Sequence, residues 1–272
     1  MGSESKFNSA SVLYFPHGGG PLPLLGHQGH AAMISFLQTV TPMLGKPEAI
    51  LVISAHWEEM QPTITSGANP ALIYDYYGFP EESYTIRYPA PGDPALARRL
   101  HRLLTDEGVE AVLDDRRGFD HGLFVPLKIM YPEANIPCVQ LSLLAGLDPE
   151  RHIQIGQAMA ALRKEKILIL GSGFSFHNMG AFIFDGPSTA DPRNDAFQKW
   201  LVNTCNGAGL TQEDRTGRLK DWQQAAPYAR YCHPREEHLL PLHVCYGIAG
   251  SAASKVFELE VLGKNATAFL WH

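Results

Sequence analysis

Uninterrupted apolar runs alternate along this chain with segments of helical period. Six stretches read as strands: SVLYF (11–15), AILVISA (49–55), CVQLSL (138–143), KILILGSG (166–173), VFELEVL (256–262) and ATAFLWH (266–272). The second and fourth are apolar without alternation, as expected of strands covered on both faces in a parallel sheet. Helical period appears in AAMISFLQTVTPML (31–44) and in DPALARRLHRLLTDEG (93–108), which opens on Asp-Pro and closes on glycine. It appears again in GLDPERHIQIGQAMAALRKEK (146–166), with Asp148 as N-cap and Pro149 in the first turn. GLFVPLKIMY (122–131) predicts a further helix capped by Asp120, and HPREEHLLPL (233–242) predicts one with Pro234 in its first turn. Strand and helix alternate, so the predicted fold class is α/β, a single domain with a central, largely parallel sheet flanked by helices. Residues 1–10 read as a flexible N-terminal lead, and 11–272 as the domain. The Tyr- and Pro-rich stretch 61–92 and the segment 180–192 read as loops, the first long enough for a lid or pocket wall.

Composition narrows the function classes. A 272-residue chain that is 45% hydrophobic and 18% charged has the makings of one substantial core. Its net charge of −6, with Lys and Arg scattered, lacks the clustered basic face of a nucleic-acid binder. No apolar run approaches the ~20 residues of a membrane span, and MGSESKFNSA has no signal-peptide core. Cys138, Cys205, Cys232 and Cys245 show no C-x-x-C pairing. They read as buried free thiols in a reducing compartment, the cytoplasm, so any metal is expected on nitrogen and oxygen ligands.

The candidate chemistry lies in five histidines. His17 in FPHGGG, His56 in LVISAHW and His177 in GSGFSFHN follow three of the predicted strands, at the C-terminal edge where open α/β sheets bind ligands. His121 in GFDHG and His238 in HPREEHLLPL stand at the heads of predicted helices. Imidazole is both the commonest metal ligand and the usual acid/base near neutral pH. HGGG admits three readings, in this order: a turn that aims His17 inward, glycines that merely allow a tight turn, and an oxyanion hole of the lipase kind. The last also needs G-x-S-x-G, which GSGFSFH does not match. On a helix over 233–242, His233 and Glu237 share a face and His238 points about 100° further round. A two-histidine, one-carboxylate iron site would favour Glu237, and spacing alone leaves the choice open. Trp57 is placed either to shield the site or to pack under the loop. Tyr74, Tyr76, Phe79 and Tyr88 are candidates for an aromatic pocket wall, and Arg87, Arg230 and Arg235 for meeting a substrate carboxylate.

FPHGGGP, SAHW, GFDHG, the GSG-to-HN segment and HPREEHLLPL, in that order, resemble the class III extradiol ring-cleaving dioxygenases, LigB-like branch, which is similar to the 4,5-DOPA extradiol dioxygenases. YGFPEESYTIRYPAPGDP matches that branch as well, and the resemblance runs from about residue 11 to the C-terminus. It implies an enzyme that opens a catechol-type, DOPA-like ring with O2, next to the hydroxyls rather than between them. It implies Fe(II) as native metal, with Zn(II) able to occupy the same ligands. His17, His56 and His238 match the family's ligands, so the resemblance favours His238 over Glu237. His177 matches the catalytic acid/base, at times close enough to count among the metal contacts, and His121 the histidine beside substrate and oxygen. Many relatives carry HGSP where this chain has the longer HGGGP, which bears on the pocket's shape near His17. Two other classes fit part of the pattern: a Memo-like non-enzymatic binding protein, and a zinc-dependent hydrolase. The full set of five histidines favours the dioxygenase.

Overall fold

The computed structural model describes residues 10–272. The apolar runs form β1 (Val12–Pro16), β2 (Ala49–Glu59), β3 (Thr63–Thr65), β4 (Val112–Asp114), β5 (Cys138–Leu144), β6 (Ile167–Gly173), β7 (Lys255–Val261) and β8 (Lys264–Trp271). They build one eight-stranded sheet in the order β4-β3-β5-β2-β6-β1-β8-β7. The central ladders β5-β2-β6-β1 are parallel, while β8 runs antiparallel to β1, β7 to β8 and β3 to β5. The predicted α/β class and largely parallel sheet therefore hold. β3 and β4 went unpredicted because three residues are too few to carry a period. The lead predicted over 1–10 falls mostly on residues 1–9, outside the described residues. Ala10 is buried and its amide donates to the Arg163 carbonyl.

The helices are α1 (Ala31–Leu44), α2 (Pro94–Asp106), α3 (His121–Met130), α4 (Pro149–Ala158), α5 (Pro192–Asn206), α6 (Gln212–Lys220), α7 (Trp222–Ala225), α8 (Ala229–Cys232) and α9 (Leu240–Ala249). Asp93 and Asp148 cap α2 and α4 with their carboxylates, as the Asp-Pro pairs predict. Alternation along β6 shows how the sheet is sandwiched. A Cβ on Gly171 would meet Cys245 and Pro241 of α9, whereas Ser172 points the other way and donates to the Gly122 carbonyl of α3 at 2.5 Å. β6 is buried along its whole length. No helix among the described residues is long and apolar enough to cross a membrane.

One predicted helix start and one predicted cap need correction. The helix expected from His233 begins only at Leu240, with Pro241 in its first turn, and 233–239 is a chain of turns. Pro241 has no amide to give a preceding turn of helix, so it belongs in the first turn rather than the interior. Asp120 makes no capping bond to α3. Its buried carboxylate accepts instead from Ser54, Gln140 and Arg117, and burial raises its pKa.

One histidine of the core makes stability acid-sensitive. His152 is fully buried between β5 and α4: its Nε2 accepts from the Leu144 amide at 3.1 Å while Nδ1 faces the Asp148 carbonyl at 2.6 Å. Burial lowers its pKa to about 4. Because the folded form resists the proton that the unfolded chain accepts near 6.5, stability falls as pH drops through the window from about 6.5 to about 4. The full contribution of His152 is about 3 kcal/mol. Denaturant unfolding of the metal-free protein at pH 6.5 and 4.5 will show a smaller acid loss for His152→Gln than for the wild type. Equal losses would remove His152 as the cause.

Candidate metal centre and substrate cavity

The five histidines converge on one cavity of about 510 Å³ at the C-terminal edge of the parallel strands. His17 follows β1 directly. His56 lies inside β2, not after it, at an irregularity where pairing with β5 slips between Ile53 and Glu58. His121 is the first residue of α3, His177 lies four residues past β6, and His238 sits in the turn before α9.

Hydrogen bonds fix which nitrogen is free in four of the five rings. Ser172 gives its proton to the Gly122 carbonyl, so its oxygen accepts from His17 Nδ1 at 2.9 Å, which leaves the His17 Nε2 lone pair open. His238 Nδ1 lies 2.9 Å and His177 Nδ1 3.0 Å from the same oxygen, Glu237 Oε1. A carboxylate accepts from both, so both rings turn Nε2 away from it. His121 Nδ1 and its backbone amide lie 2.8 and 3.0 Å from Asp75 Oδ1. Asp75 thus takes the place at the head of α3 that Asp120 was expected to fill. Burial works to raise the Asp75 pKa, but bonds and charge from His121 and His56 outweigh it and hold it below the ordinary value.

His17, His56 and His238 each bring one ligand atom within 4.8 Å of the others. His17 Nε2 and His56 Nε2 are 2.9 Å apart. Two metal–nitrogen bonds of about 2.1 Å at a right angle hold their nitrogens about 3.0 Å apart, so this approach fits two ligands of one ion. All three pKa values lie well below 6.5, through burial first and then the neighbouring imidazoles. The rings are thereby kept neutral, the form that binds metal. His177 groups instead with Glu237 and His238, its ring stacked on that of His238 at 3.4 Å. Glu237 and His238, which a helix would have pointed apart, reach the same place because 233–239 is not helical. Glu237 spends its oxygens on the two imidazoles and on Arg235. His233 is elsewhere, facing the Ser175 carbonyl in the core.

HGGG works here as a turn. Gly18 has φ +92°, and a Cβ on it would come within 2.7 Å of Pro23 and 2.9 Å of the His30 ring, so glycine is required. The Gly19 amide donates to His30 Nε2 at 3.0 Å, which takes it out of any oxyanion hole. Ser172 and Ser175 of GSGFSFH are buried, the first bonded to His17 and Gly122 and the second to Gln198 and Thr267. Neither is a nucleophile open to a substrate.

Of the proposed aromatic wall, Tyr76 and Phe79 line the cavity. Tyr74 packs behind Tyr76 and donates to the Ile86 carbonyl, and Tyr88 is a core residue bonded to the Tyr131 carbonyl. Trp57 is buried beneath Arg117 and away from the cavity. None of the three arginines is in the wall: Arg230 pairs with Glu236, Arg235 holds Glu58 with two bonds of 2.6 Å, and Arg87 lies outside. Sequence reasoning missed Leu22, His27, Phe174, Phe182, Phe184 and Leu262 in the wall, and Asp75 and His30 around it. Asp75 did leave a signal, a single acid in the aromatic run YDYYGF.

A family model described as the catalytic LigB subunit of aromatic ring-opening dioxygenase matches residues 25–270. The chain belongs to the LigB family of aromatic ring-opening dioxygenases. It is 39% identical to Dioxygenase tasH of Hapsidospora irregularis over 99% of this chain and 87% of that protein. It is 38% identical to the 4,5-DOPA dioxygenase extradiol of Beta vulgaris over 92% of this chain and 90% of that protein. In structure it is similar to an uncharacterized protein from Escherichia coli K12, with a TM-score of 0.75, 27% identity, and coverage of 97% of this chain and 100% of that one. This LigB-family protein is thus an extradiol ring-cleaving dioxygenase, of a family that works with a metal, and its histidine cluster is the candidate site for one.

Proposed function

We propose that the chain opens the ring of a catechol-type substrate with O2, at a metal held by His17, His56 and His238. Fe(II) is the metal of choice, since imidazole ligands suit iron and an oxygenase needs one that reacts with O2; Zn(II) fits the same nitrogens without that chemistry. When bound, the metal supplies the activation of O2 and the anchoring of the two catechol oxygens. The single observation that carries the reading is an all-imidazole trio, His17, His56 and His238, with ligand atoms within 4.8 Å of one another, flanked by two groups that each pair one of its rings with a carboxylate and a further histidine: His56 with Asp75 and His121, and His238 with Glu237 and His177.

The protein's own groups then have distinct tasks. His177, with Nδ1 given to Glu237, presents Nε2 as the base that takes a catechol hydroxyl proton. It lies near enough to His238 to stand among the metal contacts as well. His121, oriented by Asp75, presents Nε2 on the oxygen side. The carbon–carbon bond beside the diol breaks and both atoms of O2 enter the product, so no further reductant is required. Residues 11–272 act as one catalytic unit in this reading. The four cysteines, all free and buried, support a reducing compartment, the cytoplasm.

Anaerobic loading with Fe(II), followed by oxygen uptake on a panel of catechols, tests the proposal. A yellow ring-opened product formed in equal amount to the oxygen consumed is the expected result. No uptake with any catechol at full iron occupancy would overturn it.

A further inference from the structure

The cavity is larger than a catechol needs, and its charge is one-sided. A void of about 150 Å³ takes a benzene ring, so about 510 Å³ leaves most of the space for whatever the ring carries. Beyond the five histidines, that space is lined by Leu22, His27, Phe79, Phe174, Phe182 and Leu262, with Met179 and Phe184 exposed. The aromatic members pack on one another, with Phe174–Phe182 centroids 5.3 Å apart and Phe182–Phe184 6.3 Å apart. Among the described residues, no lysine or arginine lines the cavity, and its one acidic residue is Asp185. The three arginines that a carboxylate might have met lie outside it, two of them committed to Glu236 and Glu58.

We infer that this cavity selects a catechol carrying an uncharged, apolar substituent and disfavours one carrying a carboxylate. The inference rests on the catechol reading above and names the substrate class within it. A carboxylate placed among these rings loses its water, meets no lysine or arginine, and shares the cavity with Asp185. An alkyl or aryl substituent in the same place gains with every methylene it buries. The specificity-determining residues are Phe182, Phe184 and Met179, and DOPA, with its amino-acid head, is a poor fit.

Anaerobic calorimetry on the Fe(II)-loaded protein reads binding without turnover. 4-Hexylcatechol is expected to bind at least about tenfold more tightly than 3-(3,4-dihydroxyphenyl)propanoate or DOPA, a margin of about 1.4 kcal/mol. Phe184→Ala is expected to narrow that margin, and Met179→Arg to reverse it for the propanoate. Carboxylate catechols that bind as tightly as the hexyl compound would overturn the inference, as would a margin that neither variant moves. A preserved margin without oxygen uptake by any catechol would instead sink ring opening and leave the pocket's preference standing. Absence of binding by all three would overturn both.

Discussion

Replacing His177 with alanine will leave the metal in place and lower turnover by about 10²–10⁴-fold, the usual worth of a positioned general base, whereas replacing His56 with alanine will remove the metal. The two rings are neighbours of one cavity but differ in what holds them. His56 brings Nε2 to 2.9 Å from His17 Nε2, inside the trio that includes His238. His177 lies outside that trio and gives Nδ1 to Glu237. Loss of the His177 ring still leaves Glu237 bonded to His238, so the proposed ligand keeps its orientation. His177→Gln separates a lost base from a lost stacking partner, since the amide refills part of the space above His238 without being basic. Metal content after Fe(II) loading and dialysis, read beside kcat for each variant, makes the comparison. Iron retained by His56→Ala and lost from His177→Ala would exchange the two roles.

What could be read from the sequence divides along a physical line. β2 and β6 announce themselves because the buried parts of strands covered on both faces are apolar without alternation, and three of the five histidines were placed together by following β1, β2 and β6 towards their C-terminal ends. β4, short and largely exposed, offers no such pattern. The carboxylates behind the rings were illegible for another reason. Asp75 meets His121 across 46 positions, and Glu237 meets His177 across a comparable separation that no spacing rule spans. HPREEHLLPL misled because its Pro and acidic residues mimic a helix start, while the true start is the later Pro241. The apolar wall was hidden as well: Phe174 and Phe182 belong to loops, where apolar residues have no period to betray a common face, and Leu262, read as the end of a strand, sits in the hairpin turn after it.

The second large effect expected is on a residue outside the proposed metal and substrate site. Gly173→Ala will lower metal affinity by about tenfold or more, as loss of support behind a ligand does, and will destabilise the fold by about 1–3 kcal/mol. Gly173 ends β6 on the face opposite Ser172, and a Cβ there would lie 2.2 Å from the His238 carbonyl oxygen and 3.1 Å from the Tyr14 ring. That oxygen cannot yield freely, because it accepts from the Phe174 amide at 2.9 Å and from the Tyr14 hydroxyl at 3.0 Å. Room for the methyl must come from moving the His238 backbone, and with it the imidazole that Glu237 aims into the cavity. Gly217→Ala is the control: it lies in α6 with no atom within 4 Å of a new Cβ, and is expected to stabilise the fold by about 0.5–1 kcal/mol while leaving metal affinity unchanged. Competitive metal titration against a chelator, together with denaturant unfolding of the metal-free proteins, reads both quantities. If Gly173→Ala loses stability but keeps wild-type affinity, β6 supports the sheet alone and the position of His238 is set from the α9 side.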